Sequence, residues 1–250
     1  VREFIRALIV LHRAFRDRDL RTRLHALVRF LTCPFLRVVR LVPANARVLD
    51  IGAGHGVFAI LAMDRGARVT AVEPDARKAP FGSCRVAELP SCQNPGENSA
   101  TRQPGNPASR QPATGNRQPG NYYVVGYDDV ITGYDDVIRG TFDVVAIIDV
   151  LYKIPIAEWD ALLTRALERL PLGGMLLVKE QDPTARIKNS WNRAQEWLAT
   201  QLRLTLGESF SYESPAAFRA RLERLGFRDV EARRIDFGYP HAHALYLARR

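Results

Sequence analysis

Five short apolar runs, alternating with segments of helical periodicity, set the tightest limit on how this 250-residue chain can fold. They are "RVLDIG" (47–52), "RVTAVEP" (68–74), "YYVVGYD" (122–128), "FDVVAIIDV" (142–150) and "GMLLVKEQD" (174–182). Runs that are apolar throughout, rather than at alternate positions, belong to strands buried on both faces, and this requires a parallel sheet covered by helices on either side. Between the fourth and fifth runs, Trp159, Leu162, Leu163, Ala166 and Leu167 recur at helical spacing, and "LPLGG" (170–174) closes that helix with glycine. "FRDVEARRID" (227–236) and "HALYLARR" (243–250) are separated only by "FGYPHA", too short for a crossover helix, so they should pair antiparallel. The expected fold is α/β: a doubly wound, mostly parallel seven-stranded sheet with a C-terminal antiparallel strand, occupying residues 44–250 and preceded by a helical extension over 1–43.

In that extension Phe4, Leu8, Leu11 and Phe15 form one helical stripe with Arg2, Arg6 and Arg13 roughly opposite, and Leu20, Leu24, Leu27 and Leu31 repeat the spacing in a second helix. Both stripes are expected to pack on the sheet domain; the alternative is a membrane-surface or substrate-capping role, since a basic amphipathic helix can also lie on anionic headgroups. From about 88 to 121 the sequence is dense in Pro, Gly, Asn, Gln and Ser and repeats "RQPGN", a composition too poor in apolar surface to offset its chain entropy, so a disordered insertion is expected there. "GYDDVI" then occurs twice, at 126–131 and 133–138.

The first run ends in a turn with glycines at alternate positions, Gly52, Gly54 and Gly56, two residues behind Asp50. Glycine admits a ligand where a Cβ would block it, and the following helix start presents N–H groups. The spacing G-x-G-x-G differs from the dinucleotide pattern G-x-G-x-x-G, and Asp50 would repel a pyrophosphate while attracting an ammonium group. Glu73 ends the second run, where a carboxylate can accept both hydroxyls of a ribose. These residues resemble the class I S-adenosylmethionine-dependent methyltransferases, over roughly 44–250. The resemblance implies S-adenosylmethionine as cofactor, with contacts from Asp50, Gly52, Ala53, Gly54, Gly56, Glu73 and Pro74. It also implies that Asp149 lies near the methionine part and that Asp128 or Asp135, one from each "GYDD" copy, lies on the adenine side, with Asp128 preferred.

In such sheets ligands lie beyond the carboxyl ends of the strands, which selects Asp149, Tyr152, Lys179 to Asp182, and Tyr239 to His243. His241 and His243 are the general-base candidates because histidine titrates near neutral pH, and strand alternation would point both to one side. Glu180 and Asp182 are further candidate bases or partners of Lys179, and Trp191 and Trp197 either pack or line the acceptor pocket. No third ligand accompanies the two histidines, so no metal is expected. The fourth run ends "DVLY", lacking the prolines of the D/N-P-P-Y/F motif of methylases acting on base nitrogens and protein amides, and it looks more like small-molecule and lipid methyltransferases.

The function expected is therefore methyl transfer to a small-molecule or lipid-like acceptor. The net charge of +9 keeps an RNA methyltransferase as the alternative, though no RNA-binding module accompanies it; a noncatalytic Rossmann-like binding protein is the third reading. Three cysteines without metal-like spacing, and no long apolar block, suggest a cytoplasmic protein with no obligate protein partner, for which an anionic membrane surface is a partner open to the N-terminal helices.

Overall fold

The computed structural model describes residues 1–73, 121–124, 140–184 and 211–250. Its strands are β1 (Arg47–Ile51), β2 (Arg68–Glu73), β3 (Asn121–Val124), β4 (Val144–Ile148), β5 (Met175–Gln181), β6 (Arg228–Arg234) and β7 (His243–Arg249). They form one mixed sheet in the order β3-β2-β1-β4-β5-β7-β6. β1 to β5 pair in parallel, whereas β7 is antiparallel to both β5 and β6. The strand order reverses between β1 and β4, and in open α/β sheets such a switch point opens a crevice at the carboxyl ends. The antiparallel insertion of β7 has a direct consequence for that crevice. Its register sets His243 opposite Gln181, so the first residue of β7 arrives at the edge where the parallel strands end.

Alternation along the strands divides the core into two layers. Val48, Val69, Val144, Ala146, Leu177 and Leu245 face α1 (Arg2–Phe15), α3 (Phe35–Val39) and α4 (Val57–Asp64). Leu49, Val145, Ile147, Leu176, Val178 and Tyr246 face α5 (Ile156–Glu168) and α6 (Pro215–Arg224), where Trp159, Leu162, Leu163, Phe218 and Leu222 pack. Pro215 at the start of α6 and the Ser214 hydroxyl, which accepts from Ala217 N, fix that helix's beginning.

α1 buries Leu11 and Phe15 as its spacing predicts, joined by Ala7, while Phe4 is 40% exposed. Arg6 is not simply solvated, since its guanidinium bridges Asp64 of α4; Glu3 reaches Arg40 and Arg65. The second helix, α2 (Leu20–Thr32), departs from the expectation. Its leucine stripe faces outward, with Leu20 76% and Leu24 58% exposed, and Ala26 and Phe30 make the buried contact. Rotation of the helix is set by tertiary partners: Phe30 stacks on Phe4, and Arg29 reaches across to Asp149. A helix with two apolar stripes can bury either, and periodicity does not choose between them. The expected insertion and the two "GYDD" copies lie outside the described residues, apart from Asn121 at the start of β3. Among the described residues no helix is long and apolar enough to cross a membrane.

Candidate active site

The turn after β1 is held by its neighbour strand. Gly52 N and Ala53 N donate to the Val72 carbonyl at 2.8 and 3.0 Å, and Gly54 N donates to Glu73 Oε2 at 2.8 Å. Gly52, Gly54 and Gly56 all have left-handed φ, of 72, 58 and 78°, which a β-branched residue would adopt only under strain. A Cβ added at Gly54 would meet no atom within 4 Å, so the turn presents an open side. Asp50 is buried, and its Oδ2 has no hydrogen-bond partner among the described residues. Burial, reinforced by the charge of Glu73, pushes its carboxyl up to about 8. A turn amide is thus taken by Glu73, leaving Asp50 with an unspent acceptor. These features fit S-adenosylmethionine: an orphan carboxylate for an ammonium group, a second carboxylate at the end of β2 for ribose hydroxyls, and a glycine surface where the ligand backbone approaches. α2 comes over this turn, bringing the His25 ring 5.0 Å from that of His55, centroid to centroid.

A second cluster forms beyond β4 and β5. Asp149 has a left-handed φ of 57° and is buried. Its Oδ1 accepts from Lys179 Nζ at 2.5 Å and its Oδ2 from Arg29 Nη2 at 2.8 Å, with the Cys33 thiol 3.8 Å from Oδ2. Burial alone would raise this carboxyl, but Lys179 and Arg29 outweigh it and hold Asp149 well below the carboxylate range. Lys179, expected to pair with Glu180 or Asp182, pairs with Asp149 instead, because alternation along β5 turns Lys179 and Glu180 to opposite faces.

Glu180 lies on the α5 face, where its Oε1 accepts from Val150 N at 2.9 Å and Leu151 N at 2.8 Å. It thereby caps the 3₁₀ turn Leu151–Lys153 that follows Asp149. Its Oε2 is buried with no hydrogen-bond partner among the described residues, and desolvation, with the nearby Asp149 charge, lifts the carboxyl to about 8. Asp182 is occupied by the Thr184 amide and hydroxyl.

His243 belongs to the Asp149 side of the sheet and is 2% exposed. Its Nε2 lies 3.1 Å from the Thr32 carbonyl. Because a carbonyl only accepts, Nε2 carries the proton and Nδ1 offers a lone pair, which has no hydrogen-bond partner among the described residues. Burial and the Lys179 charge depress the imidazole to about 3, so it stays neutral. His241 precedes β7 rather than lying in it, so strand alternation does not orient it; its ring is nevertheless 6.1 Å from that of His243.

The structure therefore brings together Asp50, Gly52, Ala53, Gly54, Gly56 and Glu73 at one end of the crevice, and Asp149 and His243 at the other. Pro74, Asp128, Asp135, Trp191 and Trp197 lie outside the described residues. Sequence reasoning missed Arg29, Cys33 and Thr32. No local pattern marks them, since Arg29 is one arginine among many on the first two helices.

The fold and the turn define a class I S-adenosylmethionine-dependent methyltransferase. The family model described as a methyltransferase domain matches residues 13–232, and the chain belongs to that family. Among solved structures, the fold is shared with an S-adenosylmethionine-dependent methyltransferase of Archaeoglobus fulgidus (TM-score 0.56, 15% identity, 86% of this chain and 92% of that one). It is shared equally with a possible histamine N-methyltransferase of Thermotoga maritima (TM-score 0.56, 15% identity, 96% and 99% covered). A third is the 1,6-didemethyltoxoflavin N1-methyltransferase of Burkholderia thailandensis, solved with 1,6-didemethyltoxoflavin and S-adenosylhomocysteine (TM-score 0.53, 16% identity, 89% and 80% covered). Comparison with curated proteins finds no match.

Proposed function

We propose that this chain methylates a small-molecule acceptor seated beyond β4 and β5, beneath the C-terminal part of α2. The observation that carries this reading is the placement of two differently charged clusters along one crevice, Asp50 with Glu73 at β1 and β2, and Asp149 with Lys179 and Arg29 at β4 and β5. When bound, S-adenosylmethionine supplies an activated methyl group on a sulfonium. Asp50 and the glycine turn would hold its amino-acid part and Glu73 its ribose, with Asp149 toward the acceptor side. Positioning carries most of such a reaction, so the chain's work is to orient the nucleophile. The neutral His243 offers its Nδ1 lone pair to an O–H or N–H of the acceptor and so aims it, while burial and Lys179 keep the ring too weakly basic to hold the proton, which leaves to solvent. Glu180 acts at one remove by fixing the 150–151 backbone, and with it the conformation of Asp149. The toxoflavin-precursor enzyme, solved with a small acceptor bound, supports the substrate class.

Calorimetric titration tests the cofactor site: S-adenosylhomocysteine should bind and NAD should not, and binding of NAD alone would overturn the reading. Incubation with labelled S-adenosylmethionine and cellular metabolite, lipid and RNA fractions tests the acceptor. Label confined to RNA would establish the alternative instead.

A second reading, that the acceptor is lipid-like and met at an anionic membrane surface, rests on the outward leucine stripe. Leu20, Leu24, Leu27, Val28 and Leu31 are exposed beside Arg13, Arg16 and Arg21, and an apolar cavity of about 340 Å³ opens between α1 and α2. Basic residues at such a surface contribute about 1 kcal/mol each toward anionic bilayers. Flotation with anionic and neutral vesicles decides it, and loss of binding in a variant with Arg2, Arg13 and Arg16 changed to glutamine is the expected result.

A further inference from the structure

The Asp149 cluster is unbalanced. Arg29 and Lys179 are two cations facing one carboxylate, and the neutral His243 beside them supplies no negative charge. Glu180 is turned to the other face, where it caps Val150 and Leu151 and burial pushes its carboxyl up to about 8. An uncompensated charge in such a setting is costly unless something completes it. Lys179 is 1% exposed, and its ammonium, with three N–H donors, makes one hydrogen bond to the described residues. Arg29 is better placed to meet a ligand. One of its five donors goes to Asp149, its side chain is 32% exposed, and its guanidinium lies over the Phe35 ring at 5.7 Å, which holds the fork in a fixed plane. S-adenosylmethionine, carrying a sulfonium and an ammonium against one carboxylate, adds further positive charge to the crevice.

We infer that the acceptor is an acid: a carboxylate of the methyl acceptor anchors on the solvent side of Arg29, with Lys179 supplying charge from behind, while a second group of the same molecule donates a hydrogen bond to His243 Nδ1. This rests on the methyltransferase reading above and names its substrate class. The carboxylate is the anchor rather than the methylated atom, because lone pairs engaged by Arg29 are poor nucleophiles. Arg29 is thus a specificity residue contributed by the N-terminal helices.

The same negative group could come from the cofactor's own amino-acid part, and the experiment separates the two sources. Benzoate and its neutral counterpart benzamide are titrated into the full chain by calorimetry at concentrations up to about 10 mM, with and without saturating S-adenosylhomocysteine. The expected result is that benzoate binds at least tenfold more tightly than benzamide. Arg29→Gln, checked for folding by circular dichroism, should remove that preference while S-adenosylhomocysteine affinity stays within twofold of the parent, and Arg29→Lys should restore part of it. Equal binding of the two probes, no binding of benzoate, or an unchanged benzoate preference in Arg29→Gln would overturn the inference. So would a tenfold loss of S-adenosylhomocysteine affinity in that variant, which would assign Arg29 to the cofactor. If Arg29→Gln does not fold, the benzoate-to-benzamide ratio of the parent decides alone. Failure of the parent to bind S-adenosylhomocysteine would instead sink the methyltransferase reading, and the titrations without it still report on the anion site.

Discussion

The two ends of the crevice bury carboxylates in opposite ways. At β1, Asp50 meets another carboxylate, Glu73, and rises to about 8; at β4, Asp149 meets Lys179 and Arg29 and is held far below its ordinary value. Both are buried to a similar degree, so desolvation does not distinguish them. The difference lies in the charges placed opposite: the β1 end faces carboxylate with carboxylate, whereas the β4 end sets two cations against one carboxylate. It also reverses their pH dependence. Asp50 binds a proton more tightly in the folded chain than the ordinary 3.8, so it withdraws stability as pH rises from about 4 toward about 8. Asp149 does the opposite, contributing stability above its ordinary 3.8 that is lost as acid protonates it.

The largest effect expected is that of Asp149→Ala, which leaves two cations without their carboxylate and should cost about 3–5 kcal/mol in denaturant unfolding. A loss below about 1 kcal/mol would mean that Arg29 and Lys179 find other partners and that the contrast between the two ends is overdrawn. Next is Gly54→Val. A branched side chain in the open side of the turn, at a left-handed φ, should lower S-adenosylhomocysteine affinity about 100-fold or more, near 2.7 kcal/mol, in a chain that still folds. Unchanged affinity would remove the turn from the site.

Asp50→Asn has two effects of opposite sign. Affinity for S-adenosylhomocysteine should fall about tenfold, whereas the ligand-free variant should be more stable than the parent at pH 8, where the parent carries the cost of ionising a buried carboxyl. Thermal melts from pH 5 to 8 measure this, and a parent melting temperature that rises over that range while the variant's does not would contradict the sign. Glu180→Gln should do less, within about 1 kcal/mol of the parent, since an amide oxygen still accepts from Val150 and Leu151. A large loss of turnover with stability intact would return Glu180 to the reaction itself. The smallest effect is expected on removing residues 92–120 with a short Gly/Ser join, which should change stability by no more than about 1 kcal/mol through loop closure alone.

The parallel run of β1 to β5, the closing β6–β7 hairpin and the glycine turn were legible along the chain, because each depends on local rules. Apolar runs need two covered faces, six residues cannot hold a crossover helix, and three glycines behind an acid suit one kind of ligand. Glu73 was legible for the same reason, as the last residue of a strand beside that turn. The cluster beyond β4 and β5 was not. Asp149, Lys179, Arg29, Thr32 and His243 come from β5, β7, α2 and the loop behind β4, and their association depends on the strand order and on the way α2 is turned. Spacing offers α2 two apolar stripes; Phe30 against Phe4, and Arg29 against Asp149, decide which one is buried. The strands, their covered faces and the glycine turn follow from periodicity and glycine conformation along the chain. Which buried charges meet was settled by tertiary packing, because an ion pair between residues 120 positions apart leaves no periodic trace in either segment.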